Sequence, residues 1–580
     1  HTRRALQLNI GGEPRFAAAE DAGRFRDGLG IVPPRGLARA LLEPVDDALG
    51  DLVGRFARTH GPFTIECVSQ RFGLSASSVI EALGRLARKG RIVEGAFLQG
   101  GTGREFCDAE VLKSLRHKTL ARLRAEVEPV DAAALARFIP NWMGVGRRRR
   151  GRDALRAAIA QLEGCPIPAS VLESEILPAR VEGFKQWDLD ALCASGEVVW
   201  AGVESLGQND GRIALYLAEH EALLARPPEK VEGELAATIR ELLERRGAIF
   251  FHEITRQLGG FPQEVAHALW DLVWAGEVTN DTCEPLRSYL RGGRSESSSS
   301  SHRPRSRGWR ASPSTNVIPG TEGRWSLRSG RWFEPRTVTE RGAALARTLL
   351  ERYGIVTREA VQSEGVPGGF SAVYRVLKAL EDAGHVRRGY FVAGRGAAQF
   401  ALPGADDRLR SMRESEEART LVLSATDPAN PFGSILPWPI ADADEDAIAD
   451  DETPHGRPQR AAGARVILHD GALVGFLGRG ADSLLTFIPR DEPARSDAGR
   501  ALGEALAGIV DSGRAKALFL TAIDGQPANI SPLAPALSRA GFQMGGRGML
   551  RRRTLAFGAS SGETDDLDAP TATKLEEPNA

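Results

Sequence analysis

At 580 residues the chain is longer than one hydrophobic core supports, so several domains of roughly 100–200 residues are expected. Its 42% hydrophobic and 26% charged composition is that of a globular protein, and no apolar run approaches the ~20 residues that span a bilayer, which excludes a membrane-crossing helix. A net charge of −1 excludes a global attraction for phosphate, so affinity for nucleic acid must come from local basic patches.

The first 45 residues read as a linker segment, and their start, His1-Thr2-Arg3-Arg4, has neither an initiator methionine nor a signal-peptide apolar core, as in a piece of a longer polypeptide. A repeated pattern follows. Leucines stand seven and four residues before a glycine at Leu83, Leu86 and Gly90, at Leu189, Leu192 and Gly196, at Leu269, Leu272 and Gly276, and at Leu377, Leu380 and Gly384. Leucines three apart share a helical face, and a glycine just past the helix end can adopt the left-handed conformation that turns the chain into a strand. Upstream stretches such as Gly247-Ala-Ile-Phe250 and Gly354-Ile-Val-Thr357 supply a short strand before a further helix. Helix, short strand, helix, helix, strand is winged-helix order. The modules are expected at 46–145, 146–228, 229–290 and 323–403, separated before the fourth by a disordered Ser/Arg-rich linker at 291–322.

Beyond the modules, the runs at 465–468 and 472–477 flank Asp470-Gly471, a hairpin signal, and 484–488 adds another strand. Residues 404–492 therefore read as a small β-barrel or sheet containing an acidic loop at 441–460, residues 493–556 as a C-terminal α/β unit, and 557–580 as a disordered tail. The fold class is mainly α with small β. Cys67, Cys107, Cys165, Cys193 and Cys283 are never spaced Cys-x-x-Cys, so they read neither as a zinc site nor as a disulfide framework, and a reducing cytoplasm fits them. No metal or other cofactor is expected to bind these residues.

A winged helix offers its third helix to DNA, and the four copies differ there. In the fourth, Ser371, Tyr374, Arg375 and Lys378 fall on one face, opposite Val373, Val376, Leu377 and Leu380. The first carries Ser78, Arg85, Arg88 and Lys89 outward. The second, with Asp188 and Asp190, and the third, with Glu264, His267 and Asp271, would repel phosphate and read as packing or protein-contact units. Arg147 and Arg148, in the basic cluster 147–150, are positioned to track a backbone or to end a basic linker. Trp325 and Trp332 lie beside arginines, in positions suited to base stacking or to burial against a module.

Longer strings carry a resemblance: Glu105-Phe-Cys-Asp108, Phe138-Ile-Pro-Asn-Trp142, Asp210-Gly-Arg-Ile-Ala-Leu-Tyr216, Gly323-Arg-Trp-Ser-Leu327, and Asp427-Pro-Ala-Asn-Pro-Phe-Gly433 with Leu436-Pro-Trp438. Over nearly its whole length the chain resembles the C-terminal region of the bacterial large helicase-related protein (Lhr) family. That resemblance implies an ATP-dependent 3′-to-5′ DNA translocase and helicase of superfamily 2 acting in DNA repair in the cytoplasm beside the nucleoid, with ATP and magnesium held by a motor outside these residues. It implies as partners single-stranded or duplex DNA, the helicase core of the same polypeptide and further copies of the chain. The sequence contains no Gly-Lys-Ser/Thr phosphate loop, so this part is not expected to hydrolyse ATP.

The tandem winged helices also resemble the AlkZ-type DNA glycosylases, although their Gln-x-Gln pair is absent, and the Lhr resemblance implies uracil-DNA glycosylase activity, a hydrolase function. Uracil excision needs a pocket for a flipped base and a carboxylate or side-chain oxygen to position water; Asp427 with Asn430 is the candidate for that role, while Asx turns before Pro428 and Pro431 are the reading that the residues themselves favour. Three functions follow as alternatives: a DNA-binding, oligomerising accessory region, a glycosylase, or a protein-interaction scaffold.

Overall fold

All four repeat glycines adopt positive φ, 68° at Gly90, 77° at Gly196, 76° at Gly276 and 79° at Gly384, so each third helix ends where the leucine spacing places its end. The computed structural model describes residues 4–98, 104–126, 128–207, 209–296, 318–328, 337–396, 398–414, 417–439 and 457–553, in two bodies, His1–Glu128 and Pro129–Ala580. Every repeat builds the same antiparallel three-stranded sheet, in which the last strand of the module lies between the other two. These are winged helices, and mainly α with small β describes the whole.

In the first body, residues 1–45 are not a linker. Ala5–Ile10 pairs with Glu13–Ala18 across Gly11 and Gly12, both at positive φ, and helix Ala22–Leu29 follows. Leu6, Leu8 and Ile10 alternate inward and are buried with Ala19 and Ala22, a period-two pattern that was present in the sequence. The first module then packs helices Ala48–Thr59, Ile65–Phe72 and Ala76–Arg88 around Val53, Phe56, Val68, Val79, Leu83 and Leu86. Helix Ala132–Trp142, expected inside the 46–145 module, belongs to the second body.

In the second body the third module differs from its expected span of 229–290. Its central strand is Arg324–Leu327, paired with Val278–Asn280 and Ile249–Phe250, so the strand assigned by sequence to the fourth module completes the third. The intervening helix Glu284–Glu296 occupies the start of the expected linker, and residues 297–317 lie outside those described. Trp325 is fully buried in that strand, edge-on to Trp270, and so is not available for stacking on bases; Trp332 lies outside the described residues. The fourth module starts at helix Val338–Tyr353, whose Thr337 and Glu340 form a reciprocal capping box.

The β region is an open six-stranded sheet, not a barrel. Thr420–Ser424, Arg465–His469, Ala472–Leu477 and Ser483–Thr486 run antiparallel, then Ser483–Thr486 pairs in parallel with Ala522–Ile523, which pairs with Gln526–Pro527. The expected division at 492/493 is therefore absent. Helix Ala494–Asp511 buries Leu502, Leu506 and Val510 against Val474, Leu477 and Leu484, so both parts share one core. The Asp470-Gly471 turn is as read, with φ of 46° and 80°, and a Cβ at Gly471 would stand 2.3 Å from the Ala133 carbonyl oxygen, because the turn seats on helix Ala132–Trp142. The acidic residues 440–456 and the tail 554–580 lie outside the described residues.

Two glycines separate conformational from steric cost. A Cβ at Gly384 meets nothing within 4 Å, whereas at Gly276 it would lie 3.0 Å from Arg328 Nη1 and 3.1 Å from the Gly202 carbonyl oxygen. Gly384→Ala is expected to cost only the left-handed backbone term, about 1–2 kcal/mol, and Gly276→Ala more than that. Thermal unfolding of the two variants should show the larger loss of Tm for Gly276→Ala.

Candidate nucleic-acid interface

The third helix of the fourth module, Gly369–Asp382, buries Val373 and Leu377 completely and exposes Ser371, Arg375 and Lys378. Val376 and Leu380 are half-buried on the inner side. Neither Arg375 nor Lys378 has an ion-pair partner among the described residues, so both charges are open to solvent and to phosphate. Tyr374 departs from the expected face. Its ring packs edge-on to the buried Phe400, 6.0 Å between centroids, with the Arg388 guanidinium 5.8 Å from it, so it braces the helix against the wing. The wing itself is occupied: Arg387 pairs with Asp406 at 2.8 Å, and Arg395 donates to the Ile435 carbonyl at 2.9 Å.

The first module's basic face is largely neutralised, which corrects the reading from helical phase alone. Arg85 bonds Asp47 at 3.1 Å and Glu81 at 2.8 Å, and Lys89 bonds Asp47 at 3.4 Å. Asp47 sits at the N-terminus of Ala48–Thr59, where it also accepts from the Gly50 amide, a carboxylate that a helix start favours. Ser78 is tied to Ser75 at 2.9 Å, and only Arg88 stays exposed without an acidic partner among the described residues. In the 147–150 cluster Arg147 is half-buried, donating to the Asn141 carbonyl, and burial together with nearby Arg408 and Arg149 lowers its pKa. Arg150 pairs with Glu182, while Arg148 is exposed.

Asp427 and Asn430 lie inside the protein. Arg180 donates to both carboxylate oxygens of Asp427 at 2.7 and 3.0 Å, the Ala429 amide adds a bond at 2.7 Å, and only 1% of Asp427 is exposed, so neither oxygen meets solvent. The Asn430 side chain bonds the Ala425 carbonyl and the Phe432 amide, the Asx-type arrangement anticipated for this proline-rich stretch. Arg460 clamps the same loop, donating to the carbonyls of Asp427, Asn430 and Phe432. The sequence offered a water-positioning carboxylate or an Asx turn here, and the fold uses these residues to hold a loop.

That loop walls a cavity of about 720 Å³ in the second body, bounded by Cys165, Arg212, Arg226, Tyr353, Glu364 and Arg460. Glu364 is buried beside Arg352, and its Oε1 has no hydrogen-bond partner among the described residues. Burial opposes the charge of Arg352, yet Glu364 holds its pKa above the ordinary value. Burial pushes the Cys165 thiol up to about 12, with Glu364 adding to it, and raises the Tyr353 phenol well above its usual range.

Three winged-helix models of the large helicase-related protein match the chain, described as its second (residues 1–44), third (130–218) and fourth (335–421) domains. The chain is a winged-helix region of the Lhr family. It is 44% identical over 537 residues to a Mycolicibacterium smegmatis protein named Lhr helicase/probable uracil glycosylase, covering 90% of this chain and 34% of that protein. It is 33% identical over 583 residues to the Escherichia coli Lhr helicase/uracil glycosylase, covering 94% of this chain and 36% of that protein. The chain thus spans about a third of the length of these curated Lhr relatives.

Within this Lhr region sequence reasoning missed Arg180, Arg460, Glu364 and Tyr353. Only Tyr353 carried a local signal, directly before the helix-ending Gly354; Arg180 and Arg460 act through partners distant in the chain, and Glu364 through Arg352, 12 residues earlier. Removing one member of a buried ion pair strands the other, at a cost of about 3–5 kcal/mol. Asp427→Ala is expected to lose that stability, and the Arg180→Met, Asp427→Leu double variant to recover most of it, as read from denaturant unfolding midpoints. Equal loss in the single and double variants would contradict the pairing.

Proposed function

We propose that this chain is the C-terminal DNA-binding and homo-oligomerising region of an ATP-dependent 3′-to-5′ DNA translocase and helicase acting in DNA repair. ATP and magnesium belong to the motor elsewhere in the polypeptide, since the sequence here contains no phosphate loop. The observation that carries the DNA-binding reading is the pair Arg375 and Lys378. They are two cations on the solvent face of a winged-helix third helix, with no acidic partner among the described residues.

Replacing Arg375 and Lys378 together by Ala is expected to weaken duplex binding and to reduce the slope of log affinity against log salt by about 2 units, near 0.9 for each lost phosphate contact. Arg85→Ala with Lys89→Ala is expected to leave duplex affinity unchanged, because Asp47 and Glu81 together already offset both charges. Fluorescence anisotropy across a salt series reads both outcomes, and unchanged affinity in the fourth-module variant would refute the chosen face. Light scattering of the purified chain tests self-association.

A second reading, uracil-DNA glycosylase activity, is favoured by the cavity beside Glu364, Tyr353 and Arg460 and by the names of the two relatives. Here Asp427 and Asn430 contribute by holding the cavity wall. Alkali-induced cleavage of a uracil-containing oligonucleotide by the purified chain tests it, and an intact oligonucleotide would reject it.

A further inference from the structure

A second cavity of about 910 Å³ adjoins the first, and the two share Pro168, Arg212, Thr426 and Arg460. Seven arginines and three carboxylates line it, a local positive excess on a chain whose net charge is −1. All three carboxylates are already engaged. Glu173 is held by Arg287 at 2.7 Å, Glu175 by Arg465 at 2.8 Å, and Asp210 by the Ser170 hydroxyl at 2.5 Å.

Cations are left over. Arg479 and Arg514 are exposed on the rim without an acidic partner among the described residues, and Arg514 donates only to the Val422 carbonyl. Arg460 bonds backbone carbonyls and Ser434 on the shared wall, not a carboxylate. The wall opposite includes a single π-helical turn, Leu172–Ile176, an irregularity that recurs at functional sites.

From this arrangement we infer that the adjoining cavities form a binding cleft for a single strand of DNA, whose phosphates meet Arg479, Arg514 and Arg460 and whose unpaired bases reach the inner chamber, where Arg212 is already paired with Glu204. The inference rests on the reading of the chain as a DNA-binding region but assigns a site separate from the fourth-module helix. Each cavity alone is the size of a drug-like ligand site, so the two together exceed what one phosphate or one small anion would fill. A positively charged groove that tracks the backbone is one of the means by which single strands are held. A duplex is excluded by shape, because its paired bases are closed inside its own backbones and cannot enter a recess.

The test compares a fluorescein-labelled oligothymidylate with a labelled hairpin duplex, on the whole chain, across a salt series. Arg479→Glu with Arg514→Glu is expected to weaken oligothymidylate binding at least about tenfold and to lower its salt slope by about 1.4 units, near 0.7 for each lost contact. Hairpin affinity is expected to persist. The Arg479→Lys, Arg514→Lys variant keeps the charge and should keep the slope. Both residues are exposed, and an unchanged Tm of the charge-reversed chain separates lost binding from lost folding; were the reversed chain to unfold, Arg479→Gln with Arg514→Gln replaces it, with the same slope expected to fall. Oligothymidylate binding that ignores the charge reversal while the hairpin still responds to Arg375 and Lys378 would overturn the cleft and leave the proposed function standing. Absence of any single-strand affinity in the unaltered chain would also overturn the cleft.

Discussion

Wherever modules of the second body meet, an arginine leaves water and a carboxylate or a row of carbonyls must receive it. Arg180 of the second module reaches Asp427 of the β region, and Arg328 in the third module's wing reaches Glu221 at the end of the second. Arg352 of the fourth pairs with Glu364 and also donates to the Gln161 and Glu163 carbonyls of the second. Arg287, on the helix between the third module's second and last strands, bridges Glu173 and Asp190 of the second. Such pairs add little net stability over apolar residues of the same size, because desolvation consumes most of the attraction. Their effect is on register: a slipped interface would bury an unmatched charge, so one arrangement of the modules is selected.

The cavities follow from that arrangement. Polar junctions do not close as tightly as interdigitated leucines, and the space among the second, third and fourth modules and the β region is lined by the groups that fix the junctions. The Asp427 loop belongs to this class. Its carboxylate faces inward to Arg180, its backbone carbonyls face Arg460, and its outer side walls both chambers. A loop held from both sides gives a cavity a rigid wall without placing its own carboxylate in the cavity.

Duplication of one module with different charges on the third helix divides labour along the chain. The second module's helix spends Asp190 on Arg287 and on the Cys283 amide, and the third module's helix buries Trp270 and Trp274, so both serve packing. The fourth keeps its cations free, and the first cancels most of its own against Asp47. The same backbone plan thus yields scaffold units and a nucleic-acid face according to whether each basic residue has an acid within reach.

The leucine spacing and the four glycines determined the winged helices from sequence alone, because helical phase and left-handed termination are local properties of the chain. The Asp470-Gly471 hairpin was legible for the same reason, and the alternation in Leu6, Leu8 and Ile10 was there to be read. Only the tertiary structure decided that Arg324–Leu327 completes the third module, that residues 465–552 share one core, and that Asp427 is sealed against Arg180, 247 positions away. It alone also showed which cations are neutralised: Asp47 lies 38 residues from Arg85 and on another helix. A charge's availability depends on its neighbours in space, and sequence spacing carries no information about a partner brought in from another element.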